Sequence, residues 1–144
     1  MILVDTTILV YAVGVDHPLR DPTRRFVEMV GDGVIRARTT VEMIQEFAHV
    51  RARRRPRADA VAVAVHYAQG LAPLVSPDRE DLREGLDLFE RVEALGAFDA
   101  VLAATALRRG WALAPADRSF ARAPRLLHLD PASPAFLAGA RDAG

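Results

Sequence analysis

Four acidic residues, Asp5, Glu46, Asp99 and Asp117, stand beside apolar runs in the sequence. Asp5 follows Met1-Ile2-Leu3-Val4, a short apolar run without alternation, which suits a strand buried on both faces. Asp5 then falls at the strand's carboxyl end, the edge where open α/β sheets bind ligands. Asp117 lies in the turn Ala116-Asp117-Arg118, just beyond a second strand candidate, Trp111 to Ala114. Asp99 opens a helix after the break at Gly96. Glu46 falls at one edge of a helix face made of Met43, Ile44, Phe47, Ala48 and Val50, whereas Glu42 lies further round toward solvent. Each acid alone has an ordinary explanation; Asp5 and Asp99, for instance, would both serve as helix caps. Four on one edge would repel unless a cation or a shared proton compensates. Oxygen-only donors point to Mg²⁺ or Mn²⁺, and such an ion, alone or paired, can activate water against a phosphodiester.

Alternating strands and helices must position these acids. After the first strand a short helix is expected through about Val13, then a loop to Asp21 marked by Gly14, Asp16, His17 and Pro18. A helix should open at Pro22 and end at Gly31-Asp32-Gly33. Val34 to Arg38 is a strand candidate, and Thr39 or Thr40 should cap a helix running to about Arg54. Ala58 to Gln69 reads as helix on its length and alanine content, and Pro73 to Val75 as a very short strand or an extended link. Ser76-Pro77 reads as N-cap and first helical residue. Leu82, Leu86, Phe89, Val92 and Leu95 follow at helical spacing and predict an apolar face against the core. The helix Ala100 to Arg109 is apolar nearly all round and so buried, closed by Gly110. Leu126 to Leu129 is a last strand candidate. The expected organisation is one domain over residues 1–130, with a tail at 131–144 packed on it or extending from it. Strands alternating with helices imply a parallel sheet with right-handed crossovers.

Charge is balanced, with 19 basic and 19 acidic residues, so any nucleic-acid signal must lie in charge distribution. One stretch carries it: Arg51, Arg53, Arg54, Arg55 and Arg57, broken by Pro56. A helix dipole favours cations at this end, but five in seven positions exceeds what a dipole needs, and contact with phosphate is the functional alternative. Every basic residue is arginine; without lysine, phosphate-loop NTPases and response-regulator receivers are excluded. The absence of cysteine removes disulfides, thiol nucleophiles and thiolate metal sites. No nucleophile elbow supports a serine hydrolase, and position 7 is Thr where a haloacid-dehalogenase-type phosphoaspartate enzyme wants a second acid. His17, His49, His66 and His128 lack metal-ligand spacing. No basic signal region opens the chain and no apolar run reaches membrane-spanning length, so a soluble cytoplasmic protein is expected.

Val4-Asp5-Thr6-Thr7-Ile8-Leu9-Val10, Ile44-Gln45-Glu46-Phe47, Phe98-Asp99-Ala100-Val101-Leu102-Ala103-Ala104-Thr105-Ala106 and Ala116-Asp117-Arg118-Ser119-Phe120 resemble, in order and spacing, the four acidic motifs of PIN domains. The ordered set is similar to that of the VapC-type ribonuclease toxins of bacterial toxin–antitoxin pairs, over nearly the whole chain to about Leu129. The resemblance implies an α/β PIN-like fold with a central parallel β-sheet flanked by helices. It implies a Mg²⁺- or Mn²⁺-dependent endoribonuclease, a homodimer, and a cognate antitoxin that blocks the site. By that match Asp5, Glu46, Asp99 and Asp117 are the catalytic and metal-site acids; Thr6, Thr7 and, on electrostatic grounds, Arg51, Arg53, Arg54, Arg55 and Arg57 are expected on the substrate side. Two positions depart from the pattern. Thr7 replaces the family's frequent Asn or Ser but keeps a hydroxyl. Pro115 replaces the Ser or Thr usual two residues before the fourth acid, removing a hydroxyl and an N–H that could orient Asp117. The competing reading is a PIN-fold RNA-binding module without catalysis, which would gain nothing from four mutually repelling acids.

Overall fold

A computed structural model describes residues 1–144. Strand β1 (Ile2–Val4) is central, with β2 (Ala37–Arg38) on one side and β3 (Ala112–Ala114) on the other, all parallel. The β1 side chains are fully buried, as the unalternated run requires. Around the sheet lie α1 (Thr6–Ala12), α2 (Arg20–Gly31), α3 (Val41–Ala52), α4 (Arg57–Gly70), α5 (Arg79–Arg91), α6 (Ala97–Arg109) and α7 (Phe136–Ala143). Two apolar clusters fill the space on the sheet's two sides. One gathers Ile2, Val4, Phe26, Phe47 and Tyr67; the other gathers Leu3, Leu88, Leu95, Leu102 and Leu113. The alternation of Ile2, Leu3 and Val4 between them follows from the two-residue period of a strand.

Several expected boundaries move, each for a local reason. β2 is shorter than the apolar run from Val34, because the N–H groups of Val34 and Ile35 turn back to the Met29 carbonyl and close α2. Helix α2 opens at Arg20, with Pro22 inside its first turn where a missing N–H is harmless. Helix α3 starts as expected from the Thr40 cap but ends at Ala52. Helix α5 starts at Arg79 and not at Pro77, because Asp78 and Asp81 form a reciprocal capping box that Ser76 cannot match. The segments around Val75 and His128 are single-residue bridges, to Thr40 and to Leu113, and not full strands. The tail carries α7, whose Phe136 packs on Phe26 with ring centroids 5.4 Å apart.

The largest departure concerns α5. The periodic residues Leu82, Leu86 and Phe89 do not face the core; they remain 46–49% exposed. Asp81, Gly85 and Leu88 are buried in their place. The reason is close helix approach. A Cβ on Gly85 would lie 2.6 Å from the Val101 Cα, so α5 and α6 touch backbone to backbone along this line. The buried Asp81 carboxylate is compensated there by the Arg108 and Arg109 guanidinium groups at 3.1 and 2.9 Å.

This geometry sets a test. Gly85→Ala should destabilise the protein by about 2 kcal/mol, the cost of forcing two packed helices apart exceeding the gain in helix propensity. Gly31→Ala, where a Cβ meets nothing within 4 Å, should be neutral or stabilising. Urea midpoints of the two variants against the parent check this; equal midpoints would show that the α5–α6 contact relaxes freely.

Candidate active site

The acids reach one edge of the sheet by different local devices. Asp5 follows β1 as the N-cap of α1, its side chain accepting the Thr7 N–H. Asp117 follows β3 as the N-cap of a short 3-10 turn (Arg118–Arg122), accepting the Ser119 N–H at 2.7 Å. Asp99 lies in the first turn of α6, which begins at Ala97 with Gly96 at the cap. Asp99 is therefore not the cap itself, and the helix starts ahead of the expected Ala100. Glu46 projects from the exposed side of α3 toward α1, where the Thr6 hydroxyl donates to its Oε2 at 2.8 Å.

Two threonines knit this edge together. The Thr7 hydroxyl donates to Asp5 Oδ2 and accepts the Ala116 N–H at 2.9 Å. One side chain thus links the first acid to the residue beside the fourth. Pro115 lacks the hydroxyl of the family pattern, and the Asp117 side chain takes its hydrogen bond from the Ser119 N–H. Thr6 lies beside the Met43 carbonyl, 3.1 Å away, as well as Glu46. Both hydroxyls are thus committed within the acid cluster. Their bridging roles are what sequence reasoning missed; the signal was present as hydroxyls directly following Asp5, where short polar side chains bond the local backbone. His128, which the sequence placed in no metal-ligand pattern, lies near this edge within the field of Asp117. Burial lowers its pKa, while Asp130 and then Asp117 oppose the shift.

Electrostatics connect all four acids. Asp5 is 5% exposed, and desolvation pushes its carboxyl up to about 6. Hydrogen bonds from Thr7 oppose the rise, and the charges of Asp99 and Glu46 add to it. Asp99 is also raised, by desolvation first and then by Asp117 and Glu46, with the Gly96 backbone opposing. Carboxylates in this state fit a hard divalent cation by type, since an added positive charge would remove both the desolvation penalty and the repulsion. No three of the acids converge closely enough to form a finished cage. A cation held here would have to draw the side chains inward.

The arginine run divides. Arg51 turns its fork onto Asp59, with Nε at 2.6 Å from Oδ2 and Nη2 at 3.2 Å from Oδ1, tying α3 to α4. Arg53 lies against His49, 3.1 Å from Nε2. Arg53, Arg54, Arg55 and Arg57 are exposed. Arg54 and Arg55 border a small slot lined by Val10, Val13, Val15 and Phe47, beside α1.

The parallel α/β sheet agrees with comparison to known proteins. The PIN domain family model matches residues 2–126, and the chain belongs to the PIN domain family. Its relatives are more particular. It is 49% identical over 133 residues to Ribonuclease VapC7 of Mycobacterium tuberculosis (strain ATCC 25618 / H37Rv), covering 91% of this chain and 92% of that protein. It is 36% identical over 112 residues to Ribonuclease VapC23 of Mycobacterium tuberculosis (strain CDC 1551 / Oshkosh), covering 76% of this chain and 86% of the relative. It is 35% identical over 104 residues to Ribonuclease VapC13 of the H37Rv strain, covering 70% and 77%.

The raised pKa of Asp5 predicts a pH-dependent stability. The folded state holds the Asp5 proton more tightly than the unfolded chain, so ionisation opposes folding. In EDTA the penalty should be absent below pH about 4, grow as pH rises to about 6, and be complete above that. Asp5→Asn should remove it, stabilising the protein by about 1–3 kcal/mol at pH 7 and by little at pH 4. Urea denaturation of both proteins across this range measures the difference; a pH-independent difference would refute the assignment.

Proposed function

We infer that this protein is a metal-dependent endoribonuclease of the VapC type, cutting cellular RNA by attack of water on a phosphodiester. The observation that carries the inference is the Asp5–Thr7–Ala116 link, which holds a buried, unneutralised carboxylate beside Asp99, Glu46 and the Asp117 turn. Asp5, Asp99, Asp117 and Glu46 are the residues that would hold Mg²⁺ or Mn²⁺. When bound, such an ion neutralises the carboxylates and supplies the acidity needed to activate water near a phosphodiester. Thr7 fixes the carboxylate of Asp5, and Thr6 fixes Glu46 on the opposite wall. Asp117, the most exposed of the three aspartates, is free to meet substrate. A PIN-fold module that only bound RNA would have no use for this cluster.

The exposed arginines supply what the acids cannot. An acidic site repels a polyanion, so substrate affinity must come from cations outside it. We assign phosphate contacts to Arg53, Arg54, Arg55 and Arg57, with Arg51 anchoring the end of α3 through Asp59. A protein antitoxin would inhibit by covering the acidic edge; the slot of Val13, Val15, Arg54 and Arg55 beside α1 suits an apolar and acidic segment of such a partner. Homodimerisation belongs to the same reading, supported by half-exposed apolar side chains such as Phe89, Val61 and Val65. No helix is long and apolar enough to cross a membrane, and action on cellular RNA would place the protein in the cytoplasm.

The decisive experiment is cleavage of total cellular RNA with sequencing of the cut ends. Activity should vanish in excess EDTA, return with Mg²⁺ or Mn²⁺, and be abolished by Asp99→Asn in a folded variant. Glu46→Gln should reduce kcat far more than Glu42→Gln. Wild-type rates in EDTA, or equal losses from the two glutamate variants, would overturn the assignment. Replacing Arg53, Arg54, Arg55 and Arg57 with Ala should raise KM with a smaller effect on kcat and flatten the salt dependence of RNA binding. An unchanged salt slope would return the run to plain surface charge.

A further inference from the structure

The outer side of α1 carries a feature that the acids do not account for. Thr7, which bonds Asp5 and the Ala116 N–H, lies on that side. Tyr11 follows four residues later on the same side, about 6 Å further along the helix axis. Tyr11 is half-buried and belongs to neither apolar cluster. Its ring stacks on His17, in the loop between α1 and α2, with centroids 4.5 Å apart and planes 27° from parallel. The Leu19 N–H donates to His17 Nδ1 at 3.1 Å. Contact on one face and a hydrogen bond at one edge thus fix the imidazole, although His17 is exposed. What solvent reaches is the face that Tyr11 leaves uncovered and the edge bearing Nε2. In the neutral ring an accepting Nδ1 makes Nε2 the N–H donor.

The surroundings narrow the choice of ligand. The loop that carries His17 also supplies Val13, Gly14 and Val15 to the slot bordered by Arg54 and Arg55. Tyr11 and His17 stand outside that slot; Val10 lines it, and Tyr11 is turned about 100° further round the helix. One stretch of surface therefore holds the acids at the start of α1, an aromatic stack at its end, and guanidinium groups across the adjoining loop. Cations beside a flat aromatic face are the two parts from which a single-stranded nucleic acid site is built: the cations meet the backbone and the ring meets a base. A ring already held in one orientation loses little freedom when a base settles on it. A stack that served only to pin the loop would have no need of an exposed outer ring.

We propose that the Tyr11–His17 stack is a base-binding platform, on which one unpaired nucleobase, about one or two nucleotides from the scissile phosphate, stacks against the outer face of His17. The His17 Nε2–H donates to a neighbouring phosphate oxygen of the same strand. Tyr11 backs the imidazole and is a positioning residue, without contact to the base. The proposal rests on the RNA-directed reading above and gives that reading a binding site outside the acids and the arginine run. Neither ring takes part in bond cleavage.

The test uses the full-length protein carrying Asp99→Asn to prevent cutting, with Mg²⁺ present. Single-stranded octauridine bearing one 2-aminopurine, moved along the strand, reports stacking by quenching of its fluorescence. One position should be quenched, and His17→Ala should relieve the quenching there. Anisotropy of fluorescein-labelled octauridine gives the affinities. His17→Ala should weaken binding about 10-fold, and His17→Phe, which keeps an aromatic face, should retain most of the affinity. An abasic nucleotide at the quenched position should weaken binding to the parent by a similar factor and to His17→Ala hardly at all, because both changes remove one contact. Equal losses from His17→Ala on the intact and abasic strands would overturn the platform and leave only a polar contact with the backbone. So would a series without quenching, or a lowered urea midpoint in His17→Ala with unchanged RNA affinity, which would reduce the stack to a fastening of the loop. Light scattering in which His17→Ala changes the oligomeric state in step with RNA affinity would overturn it too, making this face an interface between copies. Failure of the two readings is separable with wild-type protein. Binding that depends on His17 and on the base, without metal-dependent cutting, would overturn the nuclease and leave the platform. Metal-dependent cutting with a KM indifferent to His17→Ala would do the reverse, and no binding at all would overturn both.

Discussion

A single buried carboxylate governs this structure. Asp5 sits at the end of the central strand, nearly without solvent, within the field of two other acids. Nothing cationic is placed beside it. Folding therefore leaves one part of the molecule electrostatically dissatisfied, and hydrogen bonds from Thr7 only moderate the effect. The remaining architecture has to be stable enough to hold that arrangement. Marginal stability makes a penalty of a few kcal/mol significant for a domain of this size.

The rigidity comes from places away from the acids. Thr39 donates to the Val4 carbonyl at 2.8 Å and fixes the strand end just before Asp5. Backbone contact at Gly85 and Val101 brings α5 against α6, and the Asp81 network with Arg108 and Arg109 secures both helices. Helix α6 in turn carries Asp99 at its start. Packing and site are thus linked through the axis of one buried helix. The aromatic contact of Phe47 with Tyr67, edge to face at 5.1 Å, does the same for α3 and α4, on which Glu46 depends.

Much of this was legible in the chain. The unalternated run before Asp5 gave a buried central strand because only a strand covered on both faces omits polar residues. The angular position of Glu46 agreed with its reach toward Thr6, since helix geometry is regular enough to phase from apolar neighbours. The face of α5 was not legible. Leu82, Leu86 and Phe89 have the right period, but period alone cannot tell a core-facing stripe from one left open, and a glycine at the contact line outweighed it. Nor could the start of α5 be read from Ser76, because the Asp78–Asp81 box competes for the same role with two reciprocal bonds. The bridging hydroxyl of Thr7 required three dimensions, since Thr7 and the Ala116 N–H that it accepts are 109 residues apart along the chain. The division of the arginine run depended likewise on Asp59, a partner on the next helix.

The place of β1 in the sheet also governs when the site can exist during synthesis. Residues 2–4 form the middle strand, and its two neighbours come later in the chain, from residues 37–38 and 112–114. A nascent chain that already carries Asp5 therefore lacks one side of its central strand until residues 112–114 are made. The fourth acid appears later still, and the Ala116 N–H that steadies Thr7 arrives just before it. An interrupted product lacking these residues cannot assemble the acidic edge, whatever helices it has formed. Topology thus imposes an order on assembly: only a polypeptide extended past Asp117 can acquire the geometry of the acidic edge.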